Sequence, residues 1–182
     1  KKSIMGLGGK SASLVFGDTD LDVAVNSSLA SIFLNQGQMC TAMSRIFVQE
    51  SIYENFVVSF VEKAERIKLG LADDSQTQMG PLISDAQRKK VIAYIEKAKA
   101  EGAKVLCGGK IPDQFELKNG YYFEPTVLAD VSTHSHIFKE EVFGPVVLIH
   151  KFSGSDEAAS LANSVDFGLA ACIWSNDIFL AQ

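Results

Sequence analysis

Apolar residues follow two alternating rhythms along this chain. Short, nearly continuous apolar runs at 12–16, 45–49, 104–107, 123–128, 146–150 and 170–174 read as buried strands. Between them apolar positions recur every three to four residues, the spacing of a helix with one buried face. The segment 20–35 carries Leu21, Ala24, Val25, Leu29, Ile32 and Phe33 on such a face, and Gly37 is expected to stop it. A second helix is expected over 51–66, capped by Ser51, with Phe56, Val57, Phe60 and Ala64 inward. A third spans 85–101 and is rich in Lys and Glu, so one side faces solvent. A fourth runs over 155–164 with Ser155 as its cap, and a last helix begins near Ile178. The stretch 69–84 reads as a loop and 111–120 as a polar excursion; Pro125 suits a strand end better than its centre. Strands alternating with helices predict a three-layer αβα fold around a largely parallel open sheet.

Length and composition agree with one such domain. The chain has 182 residues, 47% of them hydrophobic and 21% charged, enough for a sizeable core. A net charge of −5 gives no attraction to nucleic acid or to an anionic membrane surface. No apolar run reaches the about 20 residues of a membrane span, and no signal peptide opens the sequence. Three cysteines, with no close pair, argue against a disulfide framework and for a reducing, cytoplasmic setting. Of the three histidines, His134 and His136 could share a strand face, but no ligand set for a metal is apparent. Lys1 leads almost directly into a motif and Gln182 ends within a helical pattern, so the chain reads as an excised domain.

Candidate chemistry gathers in three short segments. In Asn35-Gln36-Gly37-Gln38-Met39-Cys40-Thr41-Ala42 a cysteine follows a helix stop, flanked by small or polar residues. A nucleophilic thiol needs such an open position near free backbone N–H groups, although most intracellular cysteines are simply buried. Cys107 and Cys172 lie in apolar strands and are expected in the core. Gly8-Gly9 in Leu7-Gly8-Gly9-Lys10-Ser11 is by itself a turn before a strand, and no G-x-G-x-x-G fingerprint is present. Glu140-Glu141-Val142-Phe143-Gly144-Pro145 alone would be a solvated strand entrance.

Together, in order and spacing, the three segments resemble the signatures of the NAD(P)-dependent aldehyde dehydrogenase superfamily. Met79-Gly80-Pro81, Phe123-Glu124-Pro125-Thr126 and Phe167-Gly168-Leu169-Ala170 add weaker matches. The resemblance implies that residues 1–182 form the catalytic, cysteine-bearing domain. The family's dinucleotide-binding domain and its oligomerisation strands would be absent, and the full-length protein would be a homo-dimer or homo-tetramer. It further implies that Cys40 attacks an aldehyde, giving a thiohemiacetal and then a thioester, with NAD or NADP as cofactor. Glu141 would bind the nicotinamide ribose, Phe143 would contact the ring region, and the Leu7 backbone would approach the carboxamide. Met39 and Thr41 would line the substrate tunnel.

One position departs from the pattern. The family's general-base glutamate, 34 residues before the cysteine, is here Gly6. Glycine cannot accept a proton, so hydrolysis of the thioester is expected to be impaired. Three explanations stand: a deliberately replaced base, a CoA-acylating enzyme in which a thiol takes the acyl group, or an inactive relative kept for assembly or binding. A cysteine hydrolase is a weaker alternative, since no histidine lies in a recognisable partner motif.

Overall fold

The computed structural model describes residues 1–182, the side chain of Phe115 excepted. Six strands form one sheet: β1 (Ala12–Val15), β2 (Arg45–Gln49), β3 (Lys104–Cys107), β4 (Thr126–Ala129), β5 (Val146–Phe152) and β6 (Ala171–Trp174). Their order is β3-β4-β5-β2-β1-β6. Every neighbouring pair is parallel except β3 with β4. The helices are α1 (Leu21–Phe33), α2 (Tyr53–Glu65), α3 (Asp85–Ala100), α4 (His136–Lys139), α5 (Ser155–Ala162) and α6 (Ile178–Ala181).

The two faces of the sheet carry two separate cores, which makes the three layers. On one face Ala24, Val25 and Ile32 of α1 meet Phe56, Phe60 and Ala64 of α2 over Val15, Ile46, Val48, Val147 and Ile149. On the other, Val91, Ile95 and Ala98 of α3, Ile137 and Phe138 of α4, and Ala158 of α5 cover Leu14, Phe47, Leu128, Leu148 and Phe152. In the central strands β2 and β5 alternate positions go to opposite cores, Phe47, Val146 and Leu148 to one and Ile46, Val48, Val147 and Ile149 to the other. That double burial is what a parallel sheet between helices demands.

Helix ends differ from the sequence expectations in instructive ways. Asp20 caps α1, its carboxylate accepting from the Val23 N–H at 3.0 Å. The helix stops at Leu34, three residues before Gly37, and Asn35, Gln36 and Gly37 then all take left-handed backbone (φ 51°, 57° and 68°). Only Gly37 is required there by space, since a Cβ would run into the Gly144 carbonyl oxygen. Ser51 does not cap α2; its N-cap is Ile52, with no side-chain bond. Ser155 is likewise inside α5, whose N-cap is Gly154. There Glu157 turns back to accept from the N–H and hydroxyl of Ser153. Ser84 does cap α3, accepting from the Gln87 N–H at 3.1 Å. The short α4 was not legible as a helix: it is a single turn capped by Ser135. His134 lies in the turn before it and His136 within it, so the two share no strand face. Cys107 is buried as expected, whereas Cys172 is only half-buried, because β6 is an edge strand.

Candidate active site

Three loops converge at the amino-terminal ends of three adjacent strands. Gly8 and Gly9 precede β1, Cys40 precedes β2, and Glu141 to Phe143 precede β5. The order β5-β2-β1 and the parallel register, Ala12 beside Arg45 and Arg45 beside Leu148, set these entrances side by side. Segments 132 residues apart are thereby in hydrogen-bond contact.

Cys40 sits exposed on the turn between the left-handed run and β2. Its carbonyl oxygen lies 2.5 Å from where a Cβ on Gly9 would be, so the Gly9 backbone packs directly on the cysteine turn. The Cys40 N–H donates no hydrogen bond among the described residues. Gln38 steadies the turn: its amide oxygen accepts from the Ile83 N–H at 3.0 Å. Met39 is half-buried and packs against the core under α1 and α2, while Thr41 is exposed. Beneath the turn, between Met39, Ala42, Glu141 and Phe143, lies a void of about 10 Å³, room for little more than a water molecule.

The two glutamates of the third segment have different surroundings. Glu140 takes the Tyr94 hydroxyl at 2.6 Å and the His136 ring at 2.8 Å. Those two bonds, the tyrosine's first, hold its carboxyl below the usual range. Glu141 instead accepts the Gly9 N–H at 3.0 Å through Oε1. Its Oε2 stands 2.5 Å from where a Cβ on Gly8 would be, so the paired glycines make room for this carboxylate. Phe143 is held with φ at 57°, a strained conformation for a bulky residue. The Gln87 amide of α3 donates to the Val142 and Phe143 carbonyls, at 3.0 and 2.7 Å, and pins it. Nothing in the sequence pointed to Gln87, a polar residue in the first turn of a solvated helix. Gly6 and Leu7 are exposed, and a Cβ built at Gly6 would meet no atom within 4 Å.

Immediately beyond Gly9 the chemistry changes. Lys10 is buried, and so is Arg45, which starts β2. Arg45 donates from Nε to the Lys10 carbonyl at 2.9 Å, and from its two terminal nitrogens to the Leu161 and Ala162 carbonyls at 3.1 and 2.8 Å. Its guanidinium also faces the Phe47 and Phe138 rings. Burial, then the Arg45 charge, push Lys10 down to about 7 against the weaker pull of Glu141 and Glu140. His150, wedged against Phe47 and Phe138, falls to about 4, again through burial first and Arg45 second. Among the described residues no group of three or more His, Cys, Asp or Glu side chains could hold a metal, and no helix is long and apolar enough to cross a membrane.

The model of the aldehyde dehydrogenase family matches this chain over residues 1–182. The chain belongs to the aldehyde dehydrogenase family. Within it the chain is similar to betaine aldehyde dehydrogenase of Bacillus subtilis, 44% identical over 178 residues, which are 98% of this chain and 36% of that one. It is 45% identical to betaine aldehyde dehydrogenase of Brucella ovis, again over 98% of its own length and 37% of the relative's. Among solved structures, betaine aldehyde dehydrogenase from Staphylococcus aureus in complex with NAD+ superposes with a TM-score of 0.95 at 45% identity, over 97% of this chain and 35% of that one. The αβα architecture is therefore that of the family, and this chain spans about a third of the length of these relatives.

Proposed function

We propose that residues 1–182 are the cysteine-bearing catalytic domain of an NAD(P)-dependent aldehyde dehydrogenase, with Cys40 as its nucleophile. One observation carries this reading: the exposed Cys40 turn, the Gly8-Gly9 backbone and the Glu141 carboxylate meet at a single corner. The Cys40 thiolate adds to an aldehyde carbon, forming a C–S bond and leaving an oxyanion. The free Cys40 N–H supplies one hydrogen bond to that oxygen. Glu141 fits a ribose diol, since Oε1 already accepts from Gly9 and lone pairs of Oε2 remain for hydroxyl donors. Phe143 and the Leu7 backbone complete the cofactor side. When bound, NAD(P) supplies the hydride acceptor that takes the thiohemiacetal to a thioester. The named relatives are betaine aldehyde dehydrogenases, so betaine aldehyde is the first substrate to try, with Met39 and Thr41 beside Cys40 lining part of its path.

Gly6 stands where a general base is expected, exposed and with no atom within 4 Å of where its Cβ would be. Acylation should therefore run ahead of hydrolysis. The test uses this segment in a chain of the relatives' full length. Mixing with aldehyde and NAD should give a burst of about one NADH per site, then slow turnover, because losing a general base typically costs ~10²–10⁴-fold. Gly6→Glu should restore steady turnover to the free acid. Fast turnover of the Gly6 form with CoA, giving acyl-CoA, would instead support the acylating branch. No burst with any aldehyde would sink the catalytic reading.

A further inference from the structure

One segment touches both halves of the corner and belongs to neither. Residues 82–88, the loop before α3 and the first turn of that helix, meet the Cys40 turn on one side and the Glu141–Phe143 loop on the other. On the cysteine side the Gln38 amide oxygen accepts from the Ile83 N–H at 3.0 Å. The Gln38 amide nitrogen reaches back to the Asn35 carbonyl at 3.4 Å, and the Asn35 amide donates to the Gln38 carbonyl at 3.0 Å. Those bonds span the three left-handed residues, Asn35, Gln36 and Gly37, that lead to Cys40. On the other side a single nitrogen, Nε2 of Gln87, donates to the Val142 and Phe143 carbonyls at 3.0 and 2.7 Å, which uses both of its hydrogens. Phe143 too has a positive φ, 57°, and such backbone persists only where its surroundings over-determine it. The segment is itself fixed. Leu82 is buried and its N–H donates to the Tyr121 carbonyl, Ser84 caps α3, and Arg88 donates to the Gly120 carbonyl. No clearance separates the parts: a Cβ on Gly37 would lie 2.1 Å from the Gly144 carbonyl oxygen, and one on Gly144 would lie 2.5 Å from Val91 of α3.

We propose that residues 82–88 are a brace that keeps the nucleophile turn and the cofactor loop in register, with Gln38 and Gln87 as positioning residues at its two ends. The proposal rests on the reading of Cys40, Glu141 and Phe143 given above and adds what aligns them. Hydride transfer needs the carbon on Cys40 and the acceptor ring within about 3.5 Å of each other. The two are carried by loops far apart in sequence, and the brace is hydrogen-bonded to both. The two glutamines use opposite ends of the amide. Gln38 gives the brace an acceptor, whereas Gln87 gives the cofactor loop two donors. A carboxylate in place of the amide keeps the 3.0 Å bond at position 38 and abolishes both bonds at position 87, setting an oxygen against two carbonyls there.

The test uses this segment in a chain of the relatives' full length, mixed with betaine aldehyde and NAD. The NADH burst yields two quantities for each variant. Its amplitude counts folded sites, so a variant that merely unfolds loses amplitude and keeps its rate constant. The rate constant, followed against NAD concentration, separates alignment from cofactor affinity. Gln38→Met should keep its amplitude and slow the burst about tenfold at saturating NAD, since an ångström of misplacement costs on the order of 100-fold. It should also raise the half-saturating NAD concentration about threefold, although residue 38 lies on the cysteine side. Gln38→Glu should stay within about twofold of the unsubstituted chain, because it keeps the acceptor. Gln87→Met should show both defects, and Gln87→Glu should exceed it in both. The double variant Gln38→Met, Gln87→Met should be within about twofold of the slower single variant, because one brace is broken only once. Loss of amplitude alone, an unmoved NAD dependence in Gln38→Met, or effects that multiply in the double variant would each overturn the brace and leave the assignment of Cys40 standing. No burst in the unsubstituted chain would overturn that assignment and the brace with it.

Discussion

Gly9 and Lys10 are chain neighbours, yet they open onto opposite kinds of chemistry. The Gly9 side is shallow, made of backbone and small residues, and keeps Cys40 exposed. The Lys10 side is deep, and it holds charge out of water against carbonyls and aromatic rings. The first corner depends on steric clearance: its atoms meet because glycines omit their side chains. The second depends on electrostatics, since burial and, after it, the Arg45 charge lower both Lys10 and His150. A corner built on clearance should break when a methyl group is added and ignore pH. A corner built on buried charge should tolerate loss of its groups and respond steeply to pH.

The largest effect should come from the clearance side. Gly37→Ala puts a Cβ into the Gly144 carbonyl at a φ of 68°, which the backbone cannot hold without moving one loop. Clash and strain together should destabilise by about 3 kcal/mol, and chemical denaturation would measure it. A loss below 1 kcal/mol would mean that the two loops are not locked together.

On the charged side, His150→Phe should remove an acid sensitivity. His150 is neutral when folded, with its Nε2 unpartnered, and its folded value of about 4 lies below the ordinary 6.5. The unfolded chain therefore binds the extra proton first as pH falls from 6.5 to 4, and stability is lost across that window. The cost is up to about 3 kcal/mol. The difference between wild-type and variant denaturation curves at pH 7 and pH 4.5 isolates it from the carboxyl titrations. Parallel curves would show that the ring is not held neutral.

Lys10→Met should flatten the neutral-to-alkaline side. With Lys10 lowered to about 7 from 10.5, the unfolded chain binds more protons between those values, so wild-type stability climbs as pH rises through them. From pH 7 to 9 the gain should be about 2 kcal/mol, absent in the variant. An equal slope in both would place the ammonium in contact with water.

The smallest stability effect should be at Cys40 itself. Cys40→Ser should change stability by less than about 0.5 kcal/mol, since the side chain is exposed. It should nevertheless remove the fastest iodoacetamide-reactive site. In the wild type Cys40 should label well before Cys107, whose thiol burial raises to about 11. Half-buried Cys172 should fall between them. Peptide mass mapping gives the order, and Cys107 labelling first would remove the case for Cys40.

The strands, the main helices and the αβα class were legible in the sequence because they rest on local periodicity. Apolar alternation and runs fix which residues are inward before any partner is known, as at 45–49 and 146–150. The Cys40, Gly8-Gly9 and Glu141 segments were legible as candidates through their resemblance to a family. What only the tertiary structure decided is their meeting. That comes from strand order: β5, β2 and β1 are neighbours in parallel register, so loops far apart in sequence meet at the amino-terminal ends of these strands. Strand order is a property of packing helices onto both faces, and no local pattern encodes it. The same reason hid Arg45, which reads as the polar first residue of a strand until α5 sets its terminal carbonyls against it. It also hid Lys10, whose burial follows from that neighbour rather than from its own sequence context, and His150, whose rings and charge come from β2 and α4.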